Sequence, residues 1–498
     1  MRSCFIWRQC CAVGVALVFM SVARAQGEED ALRISSIRPG GTARSNGLAN
    51  AFGAVGADPV SVAINPAGMA LYRASSLAIT LSLDIGVDRS AHYGAASQSS
   101  TAKVAFPNLA LVLRTPAAAS GSWKGASYGL VYDRVESHHH STDALADQVP
   151  GSVLDQFVAQ ANGTPYSLIY DEYPFSAALA WDVFAIDTLP SDSMNYFSRF
   201  PAGSDTRQRD LIESRGATAR TGFFYAANID DRIYLGASAN IINHRFRRIT
   251  RHTEYSLEPN NSMDQFEVED SLSTRGGGFD LSLGALVRVT ERLRAGLAFH
   301  SPQWLNLTDQ YSTTMRSGFV TVGDRGDFDL TAESPDGTFT YRLRTPWRAV
   351  GSMAYVVGAH GLVSIDYEHA EVPSMRFAPS NTLEDLYDFN YENEAIHKRF
   401  RSQRTLRAGT EWRFGNWYYR GGWAFTSDAF ALNDAQKAQG RRVFALGLGY
   451  RGGHVTVDFA ANYIAQGMKQ FTYDPAFVDP VAIDRSRVST MITVALRP

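Results

Sequence analysis

Few stretches of the sequence contain residues whose types and spacing could do chemistry. Gly447, Gly449 and Gly452 match the G-x-G-x-x-G spacing with which dinucleotide-binding proteins hold a pyrophosphate. That fingerprint requires a following helix, whereas residues 454–459 have the apolar and polar alternation of a strand. The glycines therefore predict small residues on a crowded face of a sheet.

A run of three histidines, His138 to His140, is the other candidate site for chemistry. Adjacent histidines on an extended segment do not converge as a tetrahedral metal site requires, so we expect an exposed polar loop. The sequence has no H-E-x-x-H helix, and its G-x-S-x-G match, Gly125 to Gly129, lies within the predicted strand 124–134 and not at the strand-to-helix turn of a nucleophile elbow. We therefore predict no enzymatic activity, no metal and no cofactor, with an outer-membrane lipase built from isolated Ser and His residues as an open alternative.

Alternation of apolar and polar residues is the main structural signal. Leu77 to Val87 alternate without a break, and eleven residues match the roughly 9–11 of a tilted membrane strand. In later alternating segments, the charged residues share the face opposite the apolar one. These residues are Asp280, Arg288, Asp366, Glu368, Arg407, Glu411, Arg413, Arg420 and Asp458. We predict that they point into a barrel lumen, where they pair with one another (Arg407 or Arg413 with Glu411 and Asp366) or contact a ligand.

Counting such segments predicts fourteen strands, an even number as in single-chain bacterial barrels. They lie near 76–87, 104–114, 124–134, 217–229, 232–247, 265–289, 292–307, 339–357, 361–372, 403–414, 417–426, 441–451, 453–466 and 487–497. Short turns alternate with long loops at 135–216, 308–338, 373–402, 427–440 and 467–486. This asymmetry favours a transmembrane barrel, with the short turns on the periplasmic side, over a soluble sandwich or propeller.

Composition agrees with a membrane barrel and excludes other classes. The net charge of −3 gives no electrostatic reason to expect nucleic acid as a partner. Residues 1–25 have a basic head, an apolar run and an Ala-Arg-Ala site, and thus predict a cleaved signal peptide. All three cysteines lie inside it.

The stretch 40–73 differs from the alternating segments because it is rich in Gly and Ala and has few charges. Thr42 predicts the cap of a helix from Ala43 to Val55, and Asp58 before Pro59 predicts a second helix start. The segment closes on Asn65, Pro66, Ala67 and Gly68. Its small residues would let it pack tightly inside another structure, as a plug does.

The Asn-Pro-Ala triplet, its helical lead-in and the alternating strand that follows resemble the N-terminal hatch of the FadL/TodX family of outer-membrane transporters. Similar phrases recur at 341–347 and 366–368. The resemblance implies an all-β fold: a 14-stranded antiparallel transmembrane β-barrel (76–498) with an N-terminal helical hatch (26–75) inside the lumen. It also implies a monomer in the outer membrane of a Gram-negative-type bacterium, in contact with its lipid and inserted by the barrel assembly machinery. The C-terminal Pro498 departs from the aromatic residue on which such barrels commonly finish.

The longest loop, 135–216, contains two amphipathic helical patterns, one around Leu154, Phe157 and Val158 and one around Phe175 and Leu179. Their apolar stripes could pack against each other and the barrel rim. Alternatively, they could form a groove that collects hydrophobic substrate, as the family resemblance implies. Sequence alone leaves both possibilities open.

We therefore expect passive, hatch-gated outer-membrane transport of hydrophobic, long-chain fatty acid-like molecules. The ligand would enter an apolar pocket above the hatch and leave through the wall near kinks at Pro107 and Gly129. The main alternative is a FadL-like barrel that serves as an accessory or interaction subunit of a secretion system. A general porin is the third possibility.

Overall fold

The alternating segments form an antiparallel sheet that closes on itself. A computed structural model of the protein describes residues 27–116, 121–201, 203–320, 329–380 and 387–497. The predicted signal peptide lies outside the described residues. The first strand, β1 (Ser76–His92), pairs with the last, β21 (Val481–Leu496), from Leu77–Leu496 to Ala91–Ala482. This pairing closes the barrel.

The other strands are, in chain order, β2 (Ala95–Thr115), β3 (Trp123–Ser137), β4 (His140–Pro150), β5 (Ile186–Leu189), β6 (Asp192–Ser198), β7 (Asp205–Ile229), β8 (Ile233–Ser256), β9 (Met263–Arg288), β10 (Leu293–His300), β11 (Trp304–Phe319), β12 (Leu330–Glu333), β13 (Gly337–Arg344), β14 (Arg348–Val357), β15 (Gly361–Ala370), β16 (Arg376–Pro379), β17 (Gln403–Phe414), β18 (Trp417–Thr426), β19 (Arg441–Arg451) and β20 (Val455–Gln470).

These strands give the wall fourteen positions. Nineteen strands form the main sheet, and β5 and β6 form a separate hairpin. Three positions are each shared by two consecutive strands, namely β10 with β11, β13 with β14, and β15 with β16. The remaining two strands lengthen positions that are already counted: β4 pairs with β7 beyond the end of β3, and β12 pairs with β11 beyond the end of β13. The predicted 14-stranded antiparallel barrel is confirmed.

The apolar side of the alternation faces outward. Along β1, Leu77, Ile79 and Leu81 are 44–49% exposed, whereas the intervening Ala78 and Thr80 are buried. A continuous outer face of exposed Leu, Ile, Val and aromatic side chains is suited to lipid and not to water. The barrel is therefore of the transmembrane type.

Several predicted loops are in fact strand. The β1–β2 hairpin continues to a turn at Tyr93 and Gly94, and β7 begins at Asp205, twelve residues before the predicted start at 217. Beyond the lipid, both faces of a strand can be polar, so apolar alternation no longer marks the strand. The short turns lie where predicted, for example after Ile229, Phe414 and Arg451.

The helices divide between the N-terminal segment and the connections between strands. The N-terminal segment contains α1 (Glu28–Ser35), α2 (Ala43–Asn46), α3 (Ser61–Ile64) and a 3-10 helix (Pro66–Leu71). The connections contain α4 (Val153–Ala161), α5 (Ile169–Glu172), α6 (Ala177–Asp182) and α7 (Asn390–Arg399). Among the described residues, no helix is long and apolar enough to cross a membrane.

Candidate functional site: the hatch and the lumen above it

Helix α2 of the hatch is much shorter than the predicted helix from Ala43 to Val55. Thr42 does cap it: the Thr42 side chain accepts from the Ser45 backbone N–H and the Ser45 hydroxyl accepts from that of Thr42. The helix ends at Asn46, because Ala49 and Asn50 adopt positive φ angles of 51° and 60°. Those angles turn the chain against the barrel wall, a tertiary constraint that helix propensity does not contain.

Asn65 of the Asn-Pro-Ala-Gly motif forms hydrogen bonds to both the hatch and the barrel. The Asn65 amide nitrogen donates to the Gly53 carbonyl at 2.9 Å, within the hatch, and to the Ala285 carbonyl of β9 at 3.2 Å. The Asn65 side-chain oxygen accepts from the Ala67 backbone N–H. Asn65 thus caps the 3-10 helix that starts at Pro66 and joins it to the barrel.

Barrel glycines provide the space for this motif. A Cβ at Gly236 would lie 2.4 Å from the Pro66 carbonyl carbon, and a Cβ at Gly284 would lie 2.1 Å from the Asn65 side-chain oxygen. A Cβ at Gly296 would lie 2.8 Å from the Asn65 amide nitrogen. A similar close approach between hatch and barrel occurs on the opposite wall, where a Cβ at Gly447 would lie 3.0 Å from the Gly47 Cα. The predicted crowded face at Gly447 is therefore a contact surface for the hatch.

Most of the predicted lumen charges point inward, but their partners differ from the predicted ones. Glu411 accepts from both Arg44 of the hatch and Arg420 of the wall, and Arg420 also pairs with Asp458. Arg407 pairs with Glu368 at 2.7 Å, and not with Glu411. Register along one strand cannot reveal these pairs because they join different strands and the hatch.

Asp366 does not form the predicted ion pair either. Its Oδ2 accepts from the backbone N–H groups of Phe52 and Gly53, both at 2.8 Å. Arg413 is exposed beside the Gly415 turn and donates to the Gly415 carbonyl. The lumen charges thus bind the hatch through its backbone as well as through its side chains.

Asp58 is the buried carboxylate within the hatch itself. It accepts from the Thr42 hydroxyl at 2.7 Å and from the Val60 backbone N–H at 3.1 Å. Burial raises the pKa of Asp58 to about 6, and nearby Arg44 opposes this shift. The closed hatch therefore favours the protonated form of Asp58 more than water does.

A cavity of about 430 Å³ lies between the hatch, α1 and the barrel wall. Its walls include apolar side chains such as Val135, Val443, Ile464 and Met491. They also include nine cations and six acids. The cations are Arg33, Arg38, Arg134, Arg248, Arg407, Arg441, Lys469, Arg485 and Arg487, and the acids are Glu29, Asp30, Asp84, Glu136, Glu368 and Asp428. The expected apolar pocket above the hatch is therefore mixed in character and rich in positive charge.

Three of these arginines have no close acid partner. Within the described part of the chain, Arg248, Arg441 and Arg487 have no acid within 4 Å, whereas Arg38 pairs with Glu136 and Arg485 with Asp88. The Nε atom of Arg441 is buried without a hydrogen-bond partner. These arginines are not among the predicted site residues, although Arg441 lies on the same face of β19 as the inward-facing Val443.

The barrel wall is interrupted beside the cavity. Backbone pairing between β2 and β3 runs from Thr115–Ala126 to Asn108–Asp133 and ends there. The register of β2 on β1 slips at this same level, which leaves Phe106 and Pro107 unpaired. Pro107 therefore lies directly at the end of the ladder. Beyond it, β3 pairs with β7 and the edge of β2 has no backbone partner on the β3 side among the described residues.

Gly129 lies deeper in the wall and remains paired, with Val112 on one side and Phe224 on the other. Its φ is +155°, and a Cβ there would lie 2.0 Å from the Leu111 carbonyl oxygen. The structure therefore places Pro107 and Gly129 on the same pair of strands, but only Pro107 at the interruption.

The five predicted groove residues are packed within the connection between β4 and β7. Leu154, Phe157 and Leu179 are buried in a cluster with Met263, Phe266 and Met315 of the extended barrel strands. Val158 packs at the edge of this cluster, and the Phe175 ring lies 5.0 Å from that of Tyr311. None of the five lines the lumen cavity.

The histidine run is not an exposed loop. His138 is buried against the lumen, where its ring lies 5.2 Å from that of His244, and His140 begins β4. Among the described residues, no group of three or more His, Cys, Asp or Glu side chains is arranged to hold a metal ion.

No protein-family model and no curated protein sequence matches the chain. A solved FadL homologue from Pseudomonas aeruginosa matches with a TM-score of 0.57 and 13% identity, over 93% of this chain and 99% of that one. The chain has the FadL/TodX fold. The Pseudomonas putida toluene transporter TodX matches with a TM-score of 0.50 and 12% identity, over 91% and 97% of the two chains. At these identities, the likeness carries the FadL/TodX fold alone.

Proposed function

We propose that the protein carries long-chain fatty acid-like molecules across the outer membrane by passive diffusion that the hatch gates. A transmembrane barrel whose lumen is filled by a bonded hatch is unsuited to free passage of ions. The solved structure of similar fold from Pseudomonas putida is named a toluene transporter. On this proposal, the protein's partners are the surrounding lipid, the assembly machinery and a small hydrophobic ligand, and it acts as a monomer without a cofactor.

The observation that supports this proposal best is that two of the cavity arginines without an acid within 4 Å lie beside its apolar side chains. Arg441 and Arg487 lie among Val443, Ile464 and Met491. A cation with no acid partner favours an anion, and a guanidinium binds a carboxylate through two parallel hydrogen bonds. Apolar walls beside it favour an alkyl chain. Together they suit a ligand with a carboxylate head and a hydrophobic tail.

The position of the cavity suggests an exit through the wall. Residues 134–137 of β3 line the cavity beyond the point where the β2–β3 ladder ends. The hatch contacts this same stretch: the Arg38 N–H donates to the Val135 carbonyl at 2.7 Å, and the Gly41 N–H donates to Asp133 at 2.8 Å. A shift of the 38–41 segment would therefore alter the edge at Pro107, through which a lipid-soluble molecule could reach the bilayer.

Equilibrium binding of radiolabelled oleate and oleyl alcohol to the purified barrel tests the proposal. We expect oleate to bind at least tenfold more tightly than the alcohol, and Arg441→Gln to remove this preference. Arg442→Gln is the matched control, because Arg442 is the next residue on β19 and faces outward. Binding of neither compound, with stable co-purification of secretion components, would instead support the accessory-subunit function. Steady ion conductance of the unaltered protein would indicate a porin.

A further inference from the structure

Four outward-facing arginines form a patch on the extracellular parts of three neighbouring strands. Arg215 lies on β7, Arg245 and Arg247 on β8, and Arg275 on β9, and all four side chains are exposed. Unbroken register places Arg215 directly opposite Arg247, and Arg245 directly opposite Arg275. Neighbouring strands are about 4.8 Å apart, so the four guanidinium groups share an area roughly 10 Å across.

The patch lies just beyond the lipid-facing band. Four residues below Arg245 and Arg275 on the same strand faces are Ile241 and Phe279, which are 57% and 53% exposed. The Phe279 ring packs against Trp304 at 5.1 Å, an aromatic pair of the kind found at membrane interfaces. Four residues of a tilted strand rise about 10 Å along the membrane normal, which is the depth of the headgroup layer.

These arginines lack the compensation that others on the same outer face have. Higher on β7, Arg207 and Arg209 pair with Asp147 and Asp143 of β4, at 2.6 and 2.9 Å. Among the described residues, the patch has one acid within 4 Å, Glu213, which lies 4.0 Å from Arg215 and is itself exposed.

Like charges directly opposite each other on a sheet are destabilising. Two such pairs side by side, at the level of lipid headgroups and with Glu213 at 4.0 Å as their one nearby acid among the described residues, favour binding of an external anion. Phosphate is the anion that membrane headgroups supply, and guanidinium groups bind it bidentately.

We propose that this arginine patch binds a lipid of the outer leaflet that carries two phosphate groups. One phosphate lies between Arg215 and Arg247 and the other between Arg245 and Arg275, while the acyl chains cover the apolar surface around Ile241. This site is on the outside of the wall, does not overlap the lumen cavity, and does not depend on the transport proposed above.

The experiment uses the full-length barrel in detergent, with diphosphorylated lipid A and its fully dephosphorylated form as probes. Co-elution and the temperature of the heat-modifiable gel shift report binding. We expect only the phosphorylated form to be retained and to raise the transition temperature. The double variant Arg245→Gln/Arg275→Gln should bind it about 30-fold more weakly, at roughly fivefold for each charge.

The control is Arg207→Gln/Arg209→Gln, which removes two equally exposed arginines from the same face and should bind within twofold of the unaltered protein. Both variants should retain oleate binding, so failure of either proposal is distinguishable from failure of the other. If the double variant does not fold, Arg275→Gln alone replaces it. Equal retention of the two lipids, no loss in the Arg245/Arg275 variant, or complete displacement by inorganic pyrophosphate would overturn the proposal.

Discussion

Replacement of Gly236 by alanine should loosen the hatch without damage to the barrel. Gly236 lies on β8, where its missing side chain leaves room for the hatch backbone. An added Cβ would lie 2.4 Å from both the carbonyl carbon and oxygen of Pro66, and 2.5 Å from the Ala67 nitrogen. Ordinary contact begins at 3.4 Å, so the hatch backbone must retreat by about 1 Å. No flexible side chain can absorb that movement, because all three nearby atoms are backbone.

The free-energy cost follows from the contacts that such a shift breaks. Insertion of a methyl group into a packed interior costs about 1–3 kcal/mol. The Asn65 hydrogen bonds to the Gly53 and Ala285 carbonyls, at 2.9 and 3.2 Å, would also be stretched. We take about 2 kcal/mol as the net effect on hatch closure, which corresponds to an approximately 30-fold larger open fraction.

Conductance of single barrels in planar bilayers measures this effect, and Gly351→Ala is the matched control. Gly351 also lies on a barrel strand, but a Cβ there would have no heavy atom within 4 Å. We expect brief openings to become about 30-fold more frequent in Gly236→Ala and to be unchanged in Gly351→Ala, while both keep the same heat-modifiable gel shift. Conductance of Gly236→Ala equal to that of the unaltered protein would refute the idea that the glycines hold the hatch by close approach.

Three further perturbations test other parts of the structure. Glu411→Gln leaves two buried arginines undercompensated and should cost about 3–5 kcal/mol of barrel stability in urea unfolding, whereas the exposed Glu213→Gln should be near neutral. Burial raises the pKa of Asp58 to about 6, so the closed hatch is most stable below the ordinary carboxyl pKa of 3.8, where Asp58 is protonated. About 3 kcal/mol of this stability is lost as the pH rises through 6. Conductance should therefore be lower at pH 4 than at pH 7.5, and Asp58→Asn should abolish this difference. Phe157→Ala should expose the extracellular helices to protease by removing about 3–5 kcal/mol of packing, whereas Val158→Ala, at the edge of that cluster, should do so less.

The membrane strands could be read from the sequence because lipid enforces a period of two. Leu77 to Val87 alternate since every second side chain touches hydrocarbon, and the same pattern located β17, β18 and β19 to the residue. Outside the lipid this requirement ends. The outer half of β2 and the first twelve residues of β7 pair as strands although their sequences lack apolar alternation, so they fall outside the predicted strands.

The candidate site was predictable only in part, for a different physical reason. Strand parity shows that Glu411 and Arg420 face inward, but the choice of Arg44 as a partner depends on where the hatch lies in three dimensions. Likewise, parity could place Arg441 in the lumen but could not show that it lacks an acid partner. Pairing across a barrel is a property of the closed structure and is not contained in local sequence.

The contacts between hatch and barrel also indicate which part of the hatch can move. Its motif end packs closely against Gly236, Gly284 and Gly296, where an added Cβ would lie 2.1–2.8 Å from Asn65 or Pro66. By contrast, residues 36–40 line the open cavity, so a neighbouring ligand meets this segment first. It is bonded to the edge of β3 rather than enclosed by the wall. A ligand that draws Arg38 away from Glu136 would release this segment while the glycine-held end stays in place. Ligand-driven gating on this view is a local movement at 36–41, separate from the loosening of the motif end that Gly236→Ala would cause, and it does not require the hatch to leave the barrel.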